Sequence, residues 1–161
     1  MQKFISKQIN MTKILFVFGT RPEFIKMAPV IQRINKKYPQ INAVVCNAAQ
    51  HRQMVDNLLK IFNIKPDYDM DIMKNNQDLF DITINVLNGI KNILKKEKPD
   101  LVLVQGDTST AFVSALASFY LKIPIGHIEA GLRTYNKYSP FPEEINIKNA
   151  ANTGILFARP P

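Results

Sequence analysis

Apolar runs alternate with helix-patterned stretches along this chain, and three of the runs end in short polar segments. Gly19-Thr20-Arg21-Pro22-Glu23 follows Lys13–Phe18, Gly106-Asp107-Thr108-Ser109-Thr110 follows Leu101–Gln105, and His127-Ile128-Glu129-Ala130-Gly131-Leu132-Arg133-Thr134 follows Ile123–Gly126. Such short, continuously apolar runs read as strands buried on both faces, and their alternation with helices predicts an α/β fold with a doubly wound, mostly parallel sheet and right-handed crossovers. The carboxyl ends of such strands gather at one edge, where ligands bind. The pattern therefore puts Arg21, Asp107, His127, Glu129 and Arg133 on one rim. Cations mixed with carboxylates suit chemistry on a phosphorylated substrate.

The 161 residues suffice for one domain with a full core. We expect a leader at residues 1–11 and a single domain over 12–161. No apolar stretch approaches the roughly 18 residues that span a membrane. The first ten residues lack a long apolar core and a cleavage site, which argues against a signal peptide. A single cysteine, Cys46, excludes an internal disulfide and fits a reducing compartment, the cytoplasm. It lies in an apolar run and reads as inert core. The net charge of +8 raises the question of nucleic acid. The lysines, however, scatter through Lys36, Lys37, Lys91, Lys95, Lys96 and Lys98, mostly at predicted helix ends where they complement the dipole. No aromatic-basic interleaving accompanies them. We read a basic surface that attracts anionic small molecules, with no nucleic-acid or membrane partner.

The first unit is strand Lys13–Phe18, a turn at Gly19, and a helix from Pro22 to about Lys37. Its Ile25, Pro29, Val30 and Ile34 are expected to face the sheet, with Pro29 bending the helix. Strand Ile41–Cys46, helix Arg52–Phe62, loop Lys65–Asp69 and helix Leu79–Lys96 follow. The stripe of that last helix is Ile82, Val86, Leu87, Ile90, Ile93 and Leu94. Then come strand Leu101–Gln105, helix Thr108–Tyr120 with small residues for close packing, and strand Ile123–Ile128. Ala130–Pro142 is a long loop and so a functional suspect. A short helix Glu143–Ala151 and a strand Gly154–Ala158 complete the pattern.

Each rim residue has a plain alternative. Arg21 either meets an anion or forms a surface pair with Glu23; free N–H groups at the helix start add to the anion reading. Lys26 is a ligand contact or a solvated lysine. Asp107 either caps the next helix or takes part in catalysis. His127 and Glu129, two apart in extended chain, share a face. A lone histidine is more often a satisfied core residue. A glutamate at a buried strand end needs a partner; Arg133 is available, and that pair is structural. Pro142-Glu143-Glu144 also suits an ordinary helix start. The turn at Gly19 is not a dinucleotide fingerprint, and no metal-ligand spacing, P-loop or nucleophile elbow is present.

Taken together, Gly19–Glu23, Ile25-Lys26-Met27-Ala28-Pro29, Gln50-His51-Arg52, Gly106-Asp107-Thr108, Gly126–Thr134 and Tyr138-Ser139-Pro140-Phe141-Pro142-Glu143-Glu144 resemble the non-hydrolysing UDP-N-acetylglucosamine 2-epimerases. The resemblance runs from about Met11 to Asn146. It implies a Rossmann-like domain, one half of a glycosyltransferase-B-like two-domain fold whose carboxyl-terminal UDP-binding domain is absent here. It implies interconversion of UDP-N-acetylglucosamine and UDP-N-acetylmannosamine by elimination and re-addition of UDP, without cofactor or metal, in a homodimer that supplies polysaccharide precursors. Asp107, Glu129 and Glu143 are then acid/base candidates. Arg21, Lys26, His127 and Arg133 are substrate contacts. Gln50, His51 and Gln53 match a second UDP-sugar site. Two positions depart from the pattern: Ile147 stands where an arginine is common, and Asn76 precedes Gln77 where an arginine is sometimes found. The same resemblance leaves two neighbouring expectations, a UDP-sugar-binding module without turnover and a hydrolysing relative.

Overall fold

The computed structural model describes residues 11–49, 52–72 and 76–157. The leader expected at residues 1–11 therefore lies, except for Met11, outside the described residues. Six strands form one sheet: β1 (Thr12–Phe18), β2 (Ile41–Asn47), β3 (Tyr68–Asp69), β4 (Leu101–Gln105), β5 (Ile125–Ile128) and β6 (Ile155–Phe157). Their order is β3-β2-β1-β4-β5-β6, and every neighbouring pair is parallel. Five helices connect them: α1 (Arg21–Lys37), α2 (Arg52–Ile61), α3 (Leu79–Glu97), α4 (Ser109–Tyr120) and α5 (Glu143–Thr153). The predicted doubly wound α/β fold is the one observed. The short strand β3 falls inside the predicted loop Lys65–Asp69, and β5 starts two residues later than expected.

Side chains alternate across β1, and each set serves a different layer. Ile14, Phe16 and Phe18 pack with Phe24, Met27, Ile31 and Ile34 of α1 and with Val55 and Leu59 of α2. Leu15 and Val17 pack on the other face with Val86, Ile90, Ile93 and Leu94 of α3 and the small side chains of α4. Ala111, Ser114, Ala115, Ala117 and Ser118 are all buried, so α4 lies close to the sheet. Cys46 is buried in this second layer, where loss of hydration pushes its thiol up to about 12. It is unpaired core, as its apolar setting predicts.

Helix α1 turns a different face inward from the one expected. Phe24, Met27, Ala28 and Ile31 are wholly buried, whereas Ile25 and Val30 are each 39% exposed and Pro29 is also outside. Only Ile34 of the expected set faces the sheet. The helix starts at Arg21, with Thr20 as N-cap, and runs on through Pro29 without a break. The missing N–H at Pro29 falls on the solvent side of the helix, where its loss is tolerated.

The order of strands places β1 beside β4, and connections leave this pair in opposite directions across the sheet. That is the point where an open α/β sheet forms its crevice. A direct check on the phase of α1 is a pair of truncations followed by urea unfolding. Met27→Ala is expected to cost about 2–5 kcal/mol, and Ile25→Ala under about 1.5 kcal/mol. Equal costs would mean that the inward face is wrong.

Candidate active site

Three loops meet over the carboxyl ends of β1, β4 and β5, and the bonds between them are specific. The β1–α1 turn is held by Glu23, which is 1% exposed. Its Oε2 accepts from the N–H of Gly19 at 2.8 Å, the N–H of Thr20 at 2.7 Å and the Thr20 hydroxyl at 2.9 Å. Its Oε1 accepts from the Thr108 hydroxyl of the β4–α4 turn at 2.5 Å. Burial pushes the Glu23 carboxyl above the usual carboxylate range, and these donors pull it back. The alternative Arg21–Glu23 surface pair is not formed; Arg21 is exposed and Glu23 faces inward. The anion expected at the start of α1 is met by the chain's own carboxylate, because Gly19 and Thr20 already donate to it.

Gly106 ends β4 with φ +75°, a conformation that costs an L side chain strain, so the tight turn needs glycine. Asp107 follows it, partly exposed on the rim. The helix cap is Thr108, whose hydroxyl accepts from the Ala111 N–H at 3.0 Å. Asp107 is thereby left out of capping, which removes the plainest alternative to a role in chemistry.

His127 lies on β5 opposite Val104 of β4 and is wholly buried. Its Nε2 meets the Gly106 carbonyl at 2.6 Å, and burial lowers its pKa, so the ring is neutral and donates through Nε2. Nδ1 is buried and without a partner. In this chain His127 holds the Gly106 turn from below and presents no atom to solvent.

Glu129 is beyond the end of β5 and takes φ +61°. A non-glycine residue there is strained by about 1–3 kcal/mol. The turn swings its carboxylate back over β4 and α1, where Oε2 accepts from the Gln105 amide at 2.5 Å and from Lys26 Nζ. The partner of Glu129 is thus Lys26, not Arg133 as the sequence suggests. The reason is this left-handed turn, which an extended-chain reading of His127 and Glu129 does not contain. The sequence offers Lys26 as a ligand contact or a solvated lysine, and Gln105 only as a strand end; neither reading pairs them with Glu129.

Arg133 binds Glu144 instead, donating through Nε at 2.8 Å and through Nη2. Thr134 adds its N–H at 2.8 Å to the other carboxylate oxygen. The Arg133 guanidinium, followed by the Thr134 N–H, holds the Glu144 carboxyl down to about 2. Glu144 anchors the long loop to α5. Its neighbour Glu143 is half-buried, and its Oε2 is buried with no hydrogen-bond partner. A cavity of about 720 Å³ opens beside this loop, lined by Arg133, Tyr135, Lys137, Tyr138, Glu144 and Lys148. That is the size range of small-molecule sites. Ile147, the departure from the resembled pattern noted above, is 2% exposed on α5. Gln50 and His51 lie outside the described residues, and so does the side chain of Gln53.

Among the described residues, no group of three histidine, cysteine, aspartate or glutamate side chains is arranged to hold a metal ion. No helix among them is long and apolar enough to cross a membrane.

A parallel, doubly wound sheet with carboxylates and cations at its carboxyl edge defines a Rossmann-like α/β domain. The comparisons narrow this. A family model described as UDP-N-acetylglucosamine 2-epimerase matches residues 33–152, and the chain belongs to that family. It is 60% identical over 134 residues to the UDP-N-acetylglucosamine 2-epimerase of Campylobacter jejuni, covering 83% of this chain and 35% of that one. The Bacillus subtilis enzyme of the same name is 58% identical over the same length, with 83% and 35% covered. The crystal structure of the Neisseria meningitidis UDP-GlcNAc 2-epimerase bound to UDP-GlcNAc superposes with a TM-score of 0.86 at 55% identity, over 91% of this chain and 40% of that one. A lipopolysaccharide outer core galactosyltransferase, WaaB, shares the fold alone, with a TM-score of 0.62 at 17% identity. The chain thus spans little more than a third of the length of the curated relatives named here.

The Glu144 anchor generates a pH prediction. Its folded pKa lies below the ordinary carboxylate value, so its contribution to stability is complete above about pH 4 and is lost as pH falls towards about 2. Thermal melts of wild type and Glu144→Gln should differ at pH 6 and converge between about pH 4 and pH 2. A gap that stays constant through that range would show that the carboxylate is not held by Arg133 and Thr134.

Proposed function

We propose that this chain forms the amino-terminal wall of a UDP-N-acetylglucosamine 2-epimerase active site, interconverting UDP-N-acetylglucosamine and UDP-N-acetylmannosamine when the rest of the cleft is present. The observation that carries this reading is the Lys26–Glu129–Gln105 cluster standing at the same strand ends as Asp107 and Arg21. The proton on sugar C2 has no carbonyl beside it, so direct removal is poor. Elimination of UDP solves this. A carboxylate takes the C2 proton, the bond from C1 to the diphosphate oxygen breaks, and a C1–C2 double bond forms. Return of a proton to the other face of C2, with return of UDP to C1, gives the epimer. No electrons are exchanged with a cofactor, and no cofactor is proposed.

In this scheme Glu129, Asp107 and Glu143 share the acid and base work. Arg21 and Lys26 stabilise charge on the departing diphosphate. Breaking the Lys26–Glu129 pair as substrate enters frees both groups, one for the proton and one for the phosphate. Arg133 contributes through the loop it fixes. Gln50, His51 and Gln53 are proposed as contacts of a second UDP-sugar site. The chain is proposed to pair with a second copy and to work in the cytoplasm, a reducing compartment that suits the unpaired Cys46. It covers 35% of the Campylobacter jejuni enzyme, and we propose that these 161 residues by themselves do not turn over.

The test is a chimera in which this chain replaces the matching segment of the Campylobacter jejuni relative. The chimera is expected to convert UDP-N-acetylglucosamine to a UDP-linked epimer, and Glu129→Gln to lower kcat by about 10²–10⁴-fold. The 161-residue chain alone should give no product. Free sugar and UDP as the products would make this a hydrolysing enzyme. Full activity in Glu129→Gln would remove the carboxylate from the mechanism.

A further inference from the structure

Glu23 is the most deeply buried carboxylate among the described residues, and the scheme above leaves it without a task. Nothing in the chemistry of a helix start demands it. An N3 glutamate ordinarily reaches back to one N–H, in water, as half of a capping box. Here the Thr20-Arg21-Pro22-Glu23 box is drawn inside, and the second carboxylate oxygen is spent on a residue 85 positions away. Burying a charged group is costly unless every lone pair is met. Four donors meet this one: Gly19 N–H, Thr20 N–H, Thr20 hydroxyl and Thr108 hydroxyl.

The hydroxyl of Thr108 has two jobs. It donates to Glu23 Oε1 and accepts from the Ala111 N–H, so the cap of α4 and the turn before α1 are joined by one unbroken chain of hydrogen bonds. That chain crosses the β1–β4 pair, where the sheet's crevice lies. On one side of it stands Arg21, next to Thr20. On the other stands Asp107, next to Thr108. No backbone hydrogen bond links these two turns in its place; β1 and β4 pair only from Ile14 to Phe16 and from Leu101 to Leu103.

We propose that Glu23 is a positioning residue, a buried clamp that fixes the Arg21 turn against the Asp107 turn and so sets the spacing between the rim's cation and its carboxylate. This rests on the epimerase reading for its consequence in catalysis, but the clamp itself is a property of the chain. The clamp also takes up the N–H groups of Gly19 and Thr20, which donate to its carboxylate and not to a ligand.

Two measurements test it. The first uses the 161-residue chain and reads amide exchange by NMR. Thr108→Val removes the hydroxyl. Exchange at Gly19 and Thr20, on the far turn, should quicken by about three- to tenfold, the effect of one ordinary hydrogen bond. Thr108→Ser should restore the wild-type rates. Glu23→Gln gives the reciprocal reading at Asp107 and Thr108 and serves if Thr108→Val does not fold. Changes confined to the first turn of α4 would mean a lost cap and no clamp. The second uses the chimera described above. Thr108→Val should lower kcat about tenfold with KM within about twofold, and Thr108→Ser should recover it, because one distorted hydrogen-bond geometry at the reacting groups costs rate and not binding. An inactive wild-type chimera would refute the epimerase reading and leave the exchange result to decide the clamp. An active chimera indifferent to Thr108→Val would refute the positioning role.

Discussion

Parallel pairing is the constraint from which the rest of this structure follows. All six strands point the same way, so each polar segment that follows a strand is delivered to the same edge. Residues separated by more than 80 positions become neighbours there without any local signal to attract them. Lys26 reaches Glu129 and Thr108 reaches Glu23. The two hydrophobic layers exist to hold this register. Phe16 and Phe18 lock one face of β1 to α1, and Leu15 and Val17 lock the other to the layer of α3 and α4.

Four glutamates crowd this edge, and their surroundings divide the labour among them. Glu23 is buried among donors and is pushed up by loss of hydration. Glu144 is held down to about 2 by Arg133 and Thr134. These two are engaged by the protein itself. Glu129 sits in a strained turn with Lys26 as its partner, and Glu143 has a buried oxygen that nothing among the described residues satisfies. Separated environments of this kind let one rim hold carboxylates suited to different tasks. Strain at Glu129 fits the pattern, since unfavourable backbone conformations persist where the surrounding bonds over-determine them.

The architecture was readable because strand and helix periods differ and because the apolar runs are short and clean. Strands β1, β2 and β4 and helices α3 and α4 fall within a residue or two of their predicted limits. The site was readable only as a set of names. Sequence placed Arg21, Asp107, His127, Glu129 and Arg133 on one rim, but it could not pair them correctly. The Glu129 partner was misassigned because a single left-handed φ redirects the carboxylate, and no residue type announces it. The role of Glu23 was missed for a different reason. Its capping-box pattern was present in Thr20–Glu23, yet that pattern ordinarily describes an exposed helix start. Only the burial of the box shows that it faces the crevice. The face of α1 was misjudged because Ile25, Pro29 and Val30 are as apolar as Phe24, Met27 and Ile31, so periodicity alone admits two phases.

The most direct test of the convergence of these loops is zero-length carbodiimide coupling of the 161-residue chain, followed by peptide mapping. The account predicts an amide bond between Lys26 and Glu129, whose Nζ and Oε2 are in contact across 103 residues of sequence. Coupling of Lys26 to other carboxylates alone, with Glu129 unreacted or joined elsewhere, would contradict it.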